Sequence, residues 1–178
     1  MYYLLELELA DNPVGGDSRV GLYRAIDRRF AGLELTIDNS TIVRIQPNAS
    51  NEYPDRAIAF IVKHDEPSVE YRFVYSRYEL GAYLKNPMFD NDQRITISEN
   101  SSVDLVNMIA AESGFNLVPN EFWTHPDRIE YSGGSNGINF LLEAIPGNIW
   151  FYGKYIVPLD SIAIVEDTPD VITSPELP

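Results

Sequence analysis

Residues 2–10, "YYLLELELA", alternate: Tyr3, Leu5, Leu7 and Leu9 fall on one side, Leu4, Glu6 and Glu8 on the other. That period of two belongs to a strand with one face in a core. After the turn-forming "DNPVGGD", Asp17 or Ser18 can cap a helix whose Leu22, Ile26 and Phe30 recur every fourth residue, with Gly32 as its left-handed stop. Ile42 and Ile45 mark a further extended segment before the loop "QPNASNEYPD". Ile58, Phe60 and Val62 then alternate, "KHDEPS" turns the chain, and Val69, Tyr71, Phe73 and Tyr75 alternate again, which predicts a hairpin.

The order recurs in the second half. "RITIS" is a short strand, and Ser101 caps a helix with Asp104 three residues on. Leu105, Val106 and Ile109 form that helix's apolar stripe, and Gly114 ends it. Ile138, Phe140 and Leu142 form a strand, "EAIPGN" turns, and Ile149, Phe151 and Tyr155 lie on the return. Leu22 stands 83 residues before Leu105 and Leu35 stands 82 before Leu117; Ile58, Phe60 and Val69 stand 80 before Ile138, Phe140 and Ile149. A drift this small is what short loop deletions leave in a duplicated unit.

The pattern predicts an α+β, strand-rich fold with mainly antiparallel sheet, built as two related strand-helix-hairpin units. The first spans residues 1–80 and the second 95–165, joined by a linker over 81–94 that takes in most of "RYELGAYLKNPMFDNDQ". Residues 166–178, "EDTPDVITSPELP", hold three Pro and four acidic side chains and read as an extended tail without core elements.

Composition narrows the function classes. Apolar residues make up 44% and aromatics 12%, ample for a packed interior. Thirteen Lys and Arg against 27 Asp and Glu give a net charge of −14, which repels phosphate backbones and disfavours direct nucleic-acid binding. Zero Cys removes disulfides and thiolate metal sites. The N-terminal stretch lacks the basic flank and continuous apolar run of a signal peptide, and no apolar stretch approaches the roughly 20 residues of a membrane helix. No membrane partner is expected.

Candidate chemistry is sparse. His64 falls in a hairpin turn and His125 in "FWTHPDR", neither with a carboxylate or second His at ligand spacing. "FDNDQ" offers Asp90, Asn91 and Asp92 without the glycine and distal glutamate of a calcium loop. "YSGGSNGI" precedes a strand, whereas a phosphate cradle opens a helix. The pairs Glu6 with Glu8 and Asp27 with Glu34 read as solvated surface. No catalytic residue, metal or cofactor is expected. The aromatics carry more: "IWFYGKY" puts Trp150 and Tyr152 opposite Phe151, covered by another element or presented to a partner. Trp123, Trp150, Tyr152 and Tyr78, with Val171, Ile172 and Leu177 of the tail, are the candidate interface residues.

The runs "SSVDLVNMIAAESGFNLVPNEF" and "INFLLEAIPGNIWFYGKYIVPL", with the aromatic-glycine step Tyr152-Gly153, resemble small repeat modules of virion structural proteins of large tailed bacteriophages. "YRFVYSRYELGAYL" looks like the strand and arginine-bearing turn that lead into such a module. The resemblance covers roughly residues 70–160; the first half departs from it, with Val74 near the glycine position. It implies a non-enzymatic role in the capsid, neck, tail or baseplate, made in the host cytoplasm and held in the virion as a homo- or hetero-oligomer with other virion proteins. The alternative reading is a carbohydrate or small-ligand binding module using Trp150, Tyr152 and Trp123.

Overall fold

The computed structural model describes residues 2–47, 52–84, 94–97, 101–123, 129–132, 137–158 and 163–166. The N-terminal alternation yields only a three-residue strand, β1 (Tyr2–Leu4), although Leu5 and Leu7 keep the expected inward side. Helix α1 (Ser18–Phe30) is capped by the Asp17 carboxylate, which accepts from the Arg19 N–H. Leu22 and Ile26 are fully buried on its inner face. The expected stop at Gly32 is displaced: Gly32 lies in a 3₁₀ turn, Ala31–Leu33, and Glu34 takes the left-handed conformation at φ 51°. Asn39 compensates, its Nδ2 donating to the Glu34 carbonyl at 2.7 Å.

Strands β2 (Ser40–Pro47), β3 (Arg56–Lys63) and β4 (Glu70–Ser76) form an antiparallel run, and β1 adds to β4 in parallel, giving the order β1-β4-β3-β2. Ile42 and Ile45, three residues apart, cannot share a face of a regular strand. A bulge at Val43 resolves this: the register passes from Ile42 opposite Ile61 to Arg44 opposite Phe60, so both isoleucines pack on the core.

The predicted hairpin is present, and the structure decides which face of β3 is buried. Ala57, Ala59 and Ile61 enter the core, whereas Ile58, Phe60 and Val62 turn to the outer face. Alternation selects a pair of faces and cannot say which is covered. The small side chains win the inside because Ala57 and Ala59 stand opposite Tyr75 and Phe73 on β4, whose rings fill the volume that alanines leave free. Phe30, Tyr3 and Phe73 then meet at ring centroid distances of 5.2–5.9 Å where α1 crosses the sheet.

The expected linker begins as structure. β5 (Tyr78–Glu79) leads into one helical turn, α2 (Leu80–Tyr83), with Leu80 completely buried. After β6 (Arg94–Ile97), α3 (Ser101–Ser113) already includes Ser101 as a helical residue. Its predicted stripe is buried, and Gly114 closes it at φ 79°. A second antiparallel sheet has the order β10-β8-β7, from β7 (Ile129–Ser132), β8 (Gly137–Glu143) and β10 (Lys154–Pro158). β9 (Phe151–Tyr152) pairs in parallel with β5, and β11 (Ala163–Glu166) pairs in parallel with β6. Glu166, expected in the tail, therefore belongs to a strand; residues 167–178 lie outside the described residues.

The fold is thus α+β with mainly antiparallel sheet. The offset of 80 aligns Phe60 with Phe140, yet the core faces coincide at 81, Ala59 with Phe140 and Ile61 with Leu142. The halves also close differently, since β1 joins the hairpin sheet whereas β6 pairs with β11.

One hydrophobic cluster contains residues of both halves. At its centre Trp150 is fully buried and its indole N–H donates to the Ser18 carbonyl of α1 at 2.9 Å. The approach requires Gly21: a Cβ there would stand 2.6 Å from the Trp150 ring and 2.5 Å from the Asp11 carbonyl oxygen. Neither backbone nor a buried indole can yield cheaply, so Gly21→Ala is expected to cost about 1–3 kcal/mol, a fall in Tm of roughly 2–12 °C for a chain of this size. Calorimetry of both proteins should show a single transition, because no seam separates the two halves.

Candidate interaction surface

Among the described residues, Tyr78, Trp150 and Tyr152 meet where β5 pairs with β9, but they do not form one exposed surface. Trp150 is 0% exposed, so its expected availability to a partner is corrected: it is the wedge between the halves. Tyr152 is half-buried with the Arg77 guanidinium 5.8 Å from its ring centre. Tyr78 is also half-buried; its hydroxyl donates to the Leu7 carbonyl at 2.6 Å and its ring meets Tyr83 edge-on. Trp123 alone of the four is open, at 47% exposure. Val171, Ile172 and Leu177 lie outside the described residues, as do His125 and "FDNDQ". His64 sits in its turn with Nε2 2.9 Å from the Thr41 hydroxyl.

The surface that sequence reasoning missed is the outer face of the β1-β4-β3-β2 sheet. β3 places Phe60 there, and the register lines up Tyr2, Arg72, Phe60 and Arg44 across all four strands. The row alternates aromatic ring and guanidinium. Arg44 stacks on Phe60 at 3.9 Å, while Arg72 lies 5.7 Å from the Phe60 ring centre and 5.4 Å from that of Tyr2. Such contacts contribute about 0.5–1 kcal/mol each at exposed sites. Glu70 fixes the row: its carboxylate accepts from Arg72 Nε at 2.8 Å and stands 4.0 Å from Arg44, and Arg72 also donates to the Tyr2 hydroxyl. Phe60 is thereby shielded from water without joining the main core.

Beside this row runs an aliphatic one, Leu4, Val74 and Ile58, in register. Leu4 is 70% exposed, Tyr2 60% and the bulged Val43 55%. Tyr2 and Leu4 standing out from one sheet face beside a hydrogen-bonded arginine, with Val43 exposed at the bulge of the edge strand, are what a protein-binding surface presents. The sequence signal was present: Arg44 stands between Val43 and Ile45 and Arg72 between Tyr71 and Phe73, and arginine on a strand mostly faces solvent.

A separate polar cleft of about 450 Å³ opens at the start of α1, lined by Gly16, Asp17, Ser18, Arg19, Val118, Asn120 and Glu121. Glu121 accepts a hydrogen bond from the Ser18 hydroxyl, and burial pushes its carboxyl above its ordinary 4.5. Asp17 differs: the hydrogen bond from Arg19 holds its carboxyl below the usual range. Glu121 is tied structurally, since its carboxylate reaches the N-terminus of α1 and its carbonyl accepts from Ile145 N–H and Asn148 Nδ2. No group of three or more His, Cys, Asp or Glu able to hold a metal ion occurs among the described residues.

Comparison with family models, with curated proteins and with solved structures finds no match.

A carboxyl that binds its proton more tightly when folded loses stability as pH rises, because the unfolded chain releases that proton first. The loss begins near the ordinary value of 4.5 and ends above the raised folded value. Urea melts between about pH 4 and 7 should therefore show a downward component in wild-type stability that Glu121→Gln lacks. An identical pH profile in the two proteins would contradict this account of Glu121.

Proposed function

We propose that this chain is a non-enzymatic assembly component of a tailed-bacteriophage virion, acting through protein–protein interfaces. The observation that carries the reading is the outer sheet face, where exposed Tyr2, Leu4 and Val43 surround an arginine–aromatic row held rigid by Glu70. A face with exposed apolar side chains around a hydrogen-bonded arginine–aromatic row suits association with another folded protein, whose side chains gain from burial. The high acidic charge keeps free subunits apart and soluble before assembly. The likeness of residues 70–160 to phage repeat modules supplies the particle; the sheet face supplies the physical means.

The carbohydrate-binding alternative loses its main support. It called for Trp150, Tyr152 and Trp123 on one surface, and Trp150 lies in the core.

Quantitative mass spectrometry of purified particles from the source is the test. The expected result is this chain at a fixed copy number relative to the major shell protein, matching a symmetry axis of the particle. Its absence from washed particles would overturn the reading.

A further inference from the structure

The sheet face needs an occupant, and the chain itself contains a fitting one. Arg44, Arg56 and Arg72 lie on the outer side of β2, β3 and β4, with Glu70 the acidic group set between two of them. Arg56 stands over Tyr53, 4.2 Å from its ring centre, extending the arginine–aromatic arrangement to one end of β3. On a chain of net charge −14, three arginines beside exposed Tyr2, Leu4 and Val43 form a local inversion of sign joined to apolar surface. Residues 167–178, "DTPDVITSPELP", have the complementary chemistry: Asp167, Asp170 and Glu176 with no basic residue, together with the apolar Val171, Ile172 and Leu177.

We propose that the outer face of the four-stranded sheet is the docking site for residues 167–178 of a second copy of this chain. The inference rests on the assembly reading and names its partner. The described chain stops at Glu166, at the end of β11, leaving twelve residues beyond it. Extended, twelve residues span roughly 40 Å, whereas four strands cross only about 15 Å, so the segment can traverse the whole face. Three of the twelve are proline, which has no N–H to give to a strand ladder, so the segment suits lying across the face better than adding to the edge at β1 or β2. Proline rings and aliphatic side chains then meet Tyr2, Tyr53 and Leu4 while the carboxylates meet the guanidinium groups. Single-stranded nucleic acid also uses rings and arginines. Here Arg44 covers Phe60, Glu70 stands between two guanidiniums, and the net charge opposes it.

Sedimentation velocity of the full-length chain over a range of concentrations tests the proposal. The expected result is concentration-dependent association that a synthetic peptide of residues 167–178 reverses and that weakens at about 0.5 M salt. Arg72→Glu, and separately Leu4→Ser, should each weaken it about tenfold or more. Leu4 is so exposed that its variant should retain the wild-type Tm, which guards against misfolding as the cause. Association indifferent to the peptide and to both variants would overturn the docking site while leaving assembly through another surface standing. A monomer at every concentration would overturn the self-partnering, and the particle composition would then decide the assembly reading separately. Binding of a single-stranded oligonucleotide that Arg72→Glu abolishes would also overturn it.

Discussion

Trp150 and Gly21 set the spacing on which the rest of the molecule depends. The indole enters from the second half, lies against the one position of α1 without a side chain, and gives its N–H to the first carbonyl of that helix. Around it the backbones of the halves join. Tyr78 N–H donates to the Trp150 carbonyl at 2.8 Å, β5 pairs with β9, and Asn116 exchanges bonds with Asn12 through side chain and backbone. Asn148 braces the wedge by accepting from the N–H groups of both Trp150 and Phe151. Arg77 closes the far side, its guanidinium donating to the Pro54 and Asp55 carbonyls of the first half and to that of Pro146 in the second. Burial lowers its pKa, and the three carbonyl dipoles offset part of the cost of taking it out of water.

Once the halves share a core, the faces of the first sheet have fixed fates. α1 occupies one side, and the large rings of Phe73 and Tyr75 fill it so that only alanines fit opposite them. The bulky side chains of β3 are thereby sent outward, together with two arginines that the interior could not accept. An arginine–aromatic row is a low-cost way to hold such a face in water, because each guanidinium covers a ring and keeps its own hydrogen bonds. What remains uncovered, Tyr2, Leu4 and Val43, is surface available to a partner. The packing of the core and the exposure of these side chains are therefore two results of one packing choice.

Much of the framework was legible in the chain. Leu22, Ile26, Leu105, Val106 and Ile109 gave both helices and their inner faces, since a period near four has only one apolar side. The Asp17 cap and the Gly114 stop were equally local. The interface residues were less so. Whether Trp150 was covered by another element or presented to a partner stayed open, because the sequence shows its parity relative to Phe151 and nothing of Gly21, 129 residues earlier, which receives it. The buried side of β3 stayed open because alternation carries no sign, and Gly32 read as a stop because Asn39, which stabilises the left-handed Glu34, acts through a loop.

By itself the sequence determined the kinds and order of elements, the α+β class and the acidic balance, all of which follow from local periodicity or simple counting. The tertiary structure decided which side of each two-sided strand is buried, that one core serves both halves, and where arginine meets aromatic across four strands. Those outcomes depend on contacts between residues far apart in the chain. Tyr2, Arg44, Phe60 and Arg72 become neighbours only through the register of a sheet, and no local pattern encodes that register.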